Sequence, residues 1–336
     1  MEKKVRIAFY GSPELAAVCL AGLVEKQTVS LVVTRPDREV GRGRRVSQTP
    51  VSTVALDAGI PVVKPPKPDR AVLTDYRSYG IDLAVVVAYG EILPDYLTQF
   101  PRYGSLNLHA SLLPRHRGAS PIESSILSGD RITGLTLQLM ESRMDAGDIV
   151  ACRSTPIDPE TTAEDLLKRY LREAPGFLME SIFDYVAGRV QPRPQNEREA
   201  TYCAKISKSD GLIDWSADAE WISRKIRAFN LWPVCHTKLD GKLLRIYRAR
   251  LNHGDGISSD TGIEEGGVRG ETEPGRIVAL ERENGIIVQT GKGCIAVTEL
   301  QLEHRRRMSH GEFANGYRGL AGKLLGGGGS GEERKS

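Results

Sequence analysis

The stretch that most constrains this chain runs from Ser105 to Glu123 and reads SLNLHASLLPRHRGASPIE. Its first five residues alternate in polarity, so Leu106 and Leu108 face one way and Asn107 and His109 the other. An amide and an imidazole therefore stand side by side at the end of an apolar strand. The turn that follows, Ala110 to Gly118, ends at a helix start. There Ser120 is the expected N-cap, Pro121 the first helical residue and Glu123 the acid of a capping box. Open α/β sheets place their ligand sites at such points, where strands end in loops that lead into helices. One histidine in a turn is usually structural, but a strand end, an amide and a capped helix coinciding favour a site.

Upstream the chain follows the same plan. Val5 to Tyr10 is a short apolar run closed by Gly11, and Ser12-Pro13-Glu14 supplies an N-cap, a first-turn proline and a first-turn acid. Strand, tight turn and helix make the first unit of a parallel sheet. Leu31 to Val33 predicts a second strand, Ser52 to Asp57 a helix, Pro61 to Val63 a short strand and Pro68 to Tyr79 a helix. Leu83 to Ala88 is the most apolar, β-branched run and suits a central strand buried on both faces. Downstream, Gly134 to Glu141 and Ile149 to Thr155 predict a strand pair, and Thr162 to Tyr185 a long amphipathic helix broken near Pro175-Gly176. Gly188 to Glu199, with Pro192 and Pro194 among charges, reads as a linker. Beyond it come one helix, Asp218 to Phe229, and short β-like runs at Val234 to Leu239, Leu243 to Ala249, Gly275 to Leu280, Gly285 to Thr290 and Cys294 to Leu300. Asp240-Gly241 marks a hairpin between the first two.

The expected fold class is α/β. A Rossmann-like domain with a parallel-rich sheet covers residues 1–188, a linker 189–207, a smaller OB-like β-barrel 208–322 and a disordered tail 323–336. Asn252 to Glu273, rich in Gly, Ser and acids, is an expected mobile loop.

With 336 residues the chain has room for two domains, each with its own core. No apolar run approaches the roughly 18 residues that span a bilayer. The N-terminus leads straight into a strand without a signal-peptide pattern, so a cytoplasmic protein is expected, with no membrane contact. Cys19, Cys152, Cys203, Cys235 and Cys294 never form a C-x-x-C pair, so reduced thiols and no metal site are expected. A net charge of +3 does not by itself argue for nucleic acid. Its distribution says more. Arg35, Arg38, Arg42, Arg44 and Arg45 face only Asp37 and Glu39, and Lys238 to Arg250 and Arg305 to Arg307 are also basic. Three such clusters in a nearly neutral chain suggest phosphate contacts. The first of them leaves the carboxyl end of a parallel strand, beside the crevice where a charged substrate would bind.

Three polar groups can converge at that end of the sheet: Asn107, His109 and Asp145. A histidine can carry or release a proton near neutrality, a nearby carboxylate favours its charged form, and an asparagine amide can donate to a developing oxyanion. Asp148 is the rival acid; Asp145 is preferred because it precedes the glycine of its turn. No serine or cysteine occupies a nucleophile elbow, and the G-x-G-x-x-G fingerprint of dinucleotide sites is absent. Direct transfer of an activated carbonyl between two bound substrates fits these residues.

At this point the chain resembles a known family. Asn107-x-His109 followed by Ser111-Leu112-Leu113-Pro114, with Asp145-Ala146-Gly147-Asp148 downstream, is similar to the signature of the folate-dependent formyltransferases. The resemblance implies that 10-formyltetrahydrofolate is the formyl donor and that Asn107, His109 and Asp145 are the catalytic triad. It implies that Ser111, Leu112, Leu113 and Pro114 form the folate-binding turn, and that backbone at Val86, Val87, Ala88, Tyr89 and Gly90 holds the pterin. The arginine-rich segment, and the segment from Lys205-Ile206-Ser207-Lys208 to Trp232-Pro233, are similar to the tRNA-acting branch of that family. The implied acceptor is methionyl-initiator tRNA, bound through Arg35, Arg38, Arg42, Arg44, Arg45, Lys205 and Lys208, with Arg42 foremost. A monomer is expected. Ala110 and His116 depart from the residues usual in this motif, and His116 reads as an exposed loop residue.

Other readings remain open on the sequence. A transferase acting on a small amine would keep the triad and need no basic loop. A hydrolase would release formate, and an RNA-binding protein on the same scaffold would not need the triad intact.

Overall fold

The computed structural model describes residues 5–40, 45–252 and 272–326. The chain forms two compact units, one from Met1–Ser125, Asp130–Ile157 and Asp165–Lys205, the other from Ile126–Gly129, Asp158–Glu164 and Ile206–Ser336.

The first unit begins with β1 (Arg6–Gly11), α1 (Glu14–Val24), β2 (Thr28–Val33), a hairpin of β3 (Arg38–Val40) and β4 (Arg45–Ser47), α2 (Pro50–Asp57) and β5 (Val62–Val63). It continues through α3 (Arg70–Tyr79), β6 (Leu83–Val87), α4 (Asp95–Thr98), β7 (Ser105–His109) and β8 (Arg117–Gly118). Then come α5 (Pro121–Leu127), β9 (Ile132–Leu139), β10 (Ile149–Pro156), α6 (Ala163–Val186) and β11 (Tyr202–Cys203). Seven strands form one sheet in the order β10-β9-β7-β6-β1-β2-β5. β7, β6, β1, β2 and β5 are parallel, and β9 runs antiparallel to both β7 and β10. From β1 the sheet grows one way through β2 and then the other through β6, so the switch point lies between β1 and β6.

Residue alternation divides the core between the two faces of this sheet. Ile7, Phe9, Val85, Val87, Leu106 and Leu108 pack with Leu20 of α1 and Phe177 and Leu178 of α6. Ala8, Tyr10, Ala84 and Val86 pack with Val72 and Tyr76 of α3. β6 is buried along its whole length, as its composition predicts. Because Leu106 and Leu108 serve the first core, Asn107 and His109 turn to the opposite face.

Several expectations are corrected. α6 is one unbroken helix of 24 residues with Pro175 inside it. The Pro175 ring lies against Gly22 of α1, at a distance where a Cβ on Gly22 would meet it at 3.0 Å, so close packing supports the helix through the proline. Ser12 is not the cap of α1; Pro13 holds that position. The Ser12 hydroxyl instead accepts from the Arg35 backbone at 3.3 Å and from Thr34 Oγ1 at 3.4 Å, tying the first turn to the end of β2.

In the second unit, α7 (Ala219–Ala228) is followed by β12 (Cys235–Leu239), β13 (Lys242–Asn252), β14 (Ile277–Glu281), β15 (Gly285–Gln289), β16 (Cys294–Leu302), β17 (Met308–Ser309) and α8 (His310–Gly316). The sheet order is β12-β13-β16-β15-β14, all antiparallel, with β17 on β16. Asp240 and Gly241 link β12 to β13 with φ of +49° and +75°, the pair of positive angles that a two-residue I′ hairpin needs. The expected tail does not begin at Lys323. Ile277 N–H donates to the Lys323 carbonyl and Leu325 N–H to the Gly275 carbonyl, both at 2.8 Å, while Gly326 N–H donates to the Lys238 carbonyl at 2.9 Å. Residues 323–326 therefore join the two edge strands and close the sheet around Leu239, Leu244, Phe313 and Leu325. Residues 327–336, and most of the loop expected at Asn252 to Glu273, lie outside the described residues.

Candidate active site

β7 carries Asn107 and His109 to the carboxyl end of the parallel strands. Val86 of β6 lies opposite Asn107 on one side; on the other, Gln138 of β9 lies opposite Asn107 and Thr136 opposite His109. The acid comes from the β9–β10 loop, where Asp145 has φ of +52°. A residue with a Cβ in that region costs on the order of 1–2 kcal/mol, so the surrounding bonds must hold it there. Asp145 Oδ1 accepts from Asn107 Nδ2 at 3.2 Å and Gln138 Nε2 at 2.9 Å, and Oδ2 accepts from the Gly118 N–H at 2.9 Å.

His109 is buried, and its Nδ1 stands 3.7 Å from Asp145 Oδ2. That separation lets the carboxylate act as a charge but is too long for a hydrogen bond. The ring is oriented by its other nitrogen, with Nε2 at 2.9 Å from the His116 carbonyl. A carbonyl oxygen only accepts, so Nε2 carries the hydrogen and Nδ1 is left to face the acid and a substrate. The His116 carbonyl thus orients the ring, while the Asp145 carboxylate faces Nδ1.

His116 itself is not the exposed loop residue expected. It is 5% exposed, with φ of +56°, and its Nε2 lies 2.7 Å from Asp130 Oδ2 while its N–H donates to Thr201 Oγ1 at 2.8 Å. This pairing satisfies the buried ring and aims the carbonyl at His109. The Ser111 to Pro114 turn is pinned to β9. Thr136 Oγ1 donates to the Ser111 carbonyl at 2.7 Å and accepts from the Leu113 N–H at 3.1 Å.

Val86 and Val87 are buried in β6, whereas Ala88 and Gly90 are exposed with positive φ. Tyr89 turns inward against Tyr10, ring centroids 5.3 Å apart, and burial pushes its hydroxyl up to about 12. What the Val86 to Gly90 segment presents outward is therefore backbone. Arg35 is engaged inside this site, its Nη2 donating to the Gly90 carbonyl and its Nε lying 3.4 Å from Glu91 Oε1. An opening of about 340 Å³ lies there, lined by Ser12, Pro13, Arg35, Pro36, Arg38, Ser47, Thr49 and Ala88. Arg38, Lys205 and Lys208 are exposed. Arg42 and Arg44 lie outside the described residues, as does the side chain of Arg45. Among the described residues no group of three His, Cys, Asp or Glu side chains could hold a metal ion.

Sequence reasoning missed the support behind Asp145. Arg117 is fully buried and donates to Glu197, Tyr202 and Gln195. The hydrogen bonds from Arg117 hold the Glu197 carboxyl below the usual range, and the Arg117 guanidinium is correspondingly raised. Gln195 in turn donates to the Asp145 and Gly147 carbonyls at 2.9 and 2.7 Å. The strand pair β8–β11 brings these residues together. No local signal marked Gln195 or Glu197, which fall in the stretch of prolines and charges that reads as a linker.

Residues 3–182 match the Formyl transferase family and residues 205–318 the Formyl transferase, C-terminal domain family. The chain belongs to the formyl transferases. Relatives place it more closely. The methionyl-tRNA formyltransferase of Citrifermentans bemidjiense is 38% identical over 326 residues, 96% of each chain. That of Methylococcus capsulatus is 39% identical over 327 residues, 96% of this chain and 100% of the relative. Within the formyl transferases, this is a member of the methionyl-tRNA formyltransferase family. An N-formyltransferase from Helicobacter canadensis, solved with folinic acid and dTDP-3-aminofucose, shares the fold, with a TM-score of 0.62 at 17% identity over 87% of this chain and 98% of that one.

Proposed function

We propose that the chain transfers the formyl group of 10-formyltetrahydrofolate to the α-amine of methionyl-initiator tRNA, with Asn107, His109 and Asp145 as the catalytic residues. The observation that carries this reading is the meeting of Asn107 Nδ2 and His109 Nδ1 at the Asp145 carboxylate, in a chain that its relatives match over 96% of its length.

The α-amine attacks the formyl carbon and forms a carbon–nitrogen bond, and the carbonyl π electrons move onto oxygen. The second N–H of Asn107 Nδ2 and a protonated His109 Nδ1 stabilise that oxyanion. Asp145, whose Oδ2 lies 3.7 Å from Nδ1, receives through water the proton lost by the amine. Collapse of the oxyanion breaks the bond to N10, which takes up a proton as tetrahydrofolate leaves. Backbone of Val86 to Gly90 and the Ser111 to Pro114 turn hold the donor. Arg38, Arg42, Arg44, Arg45, Lys205 and Lys208 contact tRNA phosphates; Arg35, expected among them, serves the donor side instead from its place against the Gly90 carbonyl. The setting we propose is a cytoplasmic monomer. No helix among the described residues is long and apolar enough to cross a membrane.

His109→Ala and Asp145→Asn test the site. Each is expected to lower turnover by about 10²–10⁴-fold, the usual worth of positioned proton transfer, with thermal unfolding near that of the parent. Near-normal turnover in either variant contradicts the assignment.

A further inference from the structure

Asp145 reaches its left-handed position with two side-chain donors on Oδ1, of which Asn107 already has a task in the reaction. The other, Gln138, is 1% exposed and lies opposite Asn107 across the β7–β9 register. Which end of a buried glutamine amide points where is ordinarily ambiguous, but here the surroundings decide it.

The decision starts at Arg117, whose guanidinium has five N–H groups and no acceptor. Arg117 Nε and Nη2 donate to Gln195 Oε1 at 3.0 and 2.8 Å, and its remaining donors go to both oxygens of Glu197 and to the Tyr202 hydroxyl. Oε1 of Gln195 must therefore face Arg117, which turns its Nε2 toward Gln138. Gln195 Nε2 donates to Gln138 Oε1 at 3.2 Å, alongside the Asp145 and Gly147 carbonyls. With its oxygen committed, Gln138 can present only Nε2 to the acid, 2.9 Å from Oδ1. Each link has one allowed direction, running from a buried cation to the catalytic carboxylate.

We propose that Gln138 is a positioning residue for the transfer reaction: through a hydrogen-bond chain whose direction is set by Arg117 and Gln195, it holds the Asp145 side chain at its distance from His109. This rests on the role given to Asp145 above. The donor at Oδ1, and the chain of bonds behind it, fix where the carboxylate sits. Gln138 itself touches neither substrate in this account, so its loss acts on kcat rather than on binding.

Three variants test this in the full chain, with kcat, the KM for each substrate and thermal unfolding measured from pH 5.5 to 8.5. Gln138→Leu keeps the bulk and removes the donor; kcat should fall by about 10–100-fold at every pH, the cost of a carboxylate misplaced by under an ångström, with both KM values within about threefold of the parent. Gln138→Glu is nearly isosteric. Its carboxyl, beside Asp145, shares a proton at the acid end of the range and then donates in place of the amide. Its kcat relative to the parent should therefore recover as pH falls, which a purely structural residue would not produce. Asp145→Asn is the reference. If Asp145→Asn is inactive while Gln138→Leu turns over within about twofold of the parent, the positioning role is wrong and the site stands. Equal losses in the two Gln138 variants at all pH values, or a loss confined to KM, also overturn it. Normal activity of Asp145→Asn overturns the underlying site assignment instead.

Discussion

Gly147→Ala should separate the placement of Asp145 from the stability of the sheet that carries it. Gly147 has no room for a side chain, because a Cβ there would lie 1.9 Å from the Leu139 carbonyl oxygen and 2.8 Å from its carbon. Both atoms are backbone of β9, so no rotamer change relieves the clash. Relief requires the β9–β10 loop to move by about 1 Å, and Asp145 lies two residues before the substitution, tied to the same segment by the Gln195 bond to the Gly147 carbonyl. A displacement of that size at reacting groups costs roughly 10²-fold in rate. The accompanying overpacking should cost about 1–3 kcal/mol, leaving a chain of this size folded. The assay is kcat for formyl transfer under saturating substrates, with a thermal melt on the same sample. Gly176→Ala is the control: it sits in α6 with nothing within 4 Å of an added Cβ, and should stabilise by about 0.5–1 kcal/mol with unchanged kcat. Parent-like turnover in Gly147→Ala would show that the loop tolerates displacement and that the position of Asp145 is not critical.

Two further expectations concern the arginines and the barrel. Arg35→Ala removes the donor to the Gly90 carbonyl and should weaken folate binding about 3–10-fold, as for a lost charge-assisted bond in a partly exposed place, whereas Arg42→Ala should leave folate binding intact and reduce the salt slope of tRNA binding by about one; titrations of each ligand against both variants distinguish the roles. Leu325→Ala, at a residue 4% exposed in the closing segment, should destabilise the second unit by about 2–5 kcal/mol, read as an earlier melting transition.

The parts of the fold that the sequence announced are those written in local patterns. The alternation of Leu106 to His109, the apolar run of β6 and the Asp240-Gly241 turn each depend on residues a few positions apart, and each appears as read. What escaped depends on partners far along the chain. Arg117 and Glu197 are 80 residues apart, and Gln195 meets the Asp145 carbonyl across 50, so nothing near Gln195 distinguishes it from a polar linker residue. His116 looked exposed because Asp130 and Thr201, which satisfy it, lie 14 and 85 residues further along the chain. Pro175 looked like a helix break because the glycine that accommodates its ring is in α1. Lys323, Leu325 and Gly326, in a glycine-rich terminus, close a barrel through backbone bonds that carry no side-chain signature.

The most direct measurement of the central claim is formyl transfer from labelled 10-formyltetrahydrofolate with methionylated initiator tRNA, methionylated elongator tRNA and no acceptor, run in parallel. Rapid labelling of the initiator tRNA, with little transfer to the elongator and no formate released without an acceptor, is the predicted result. Formate release independent of tRNA, or no turnover with any acceptor, would contradict it.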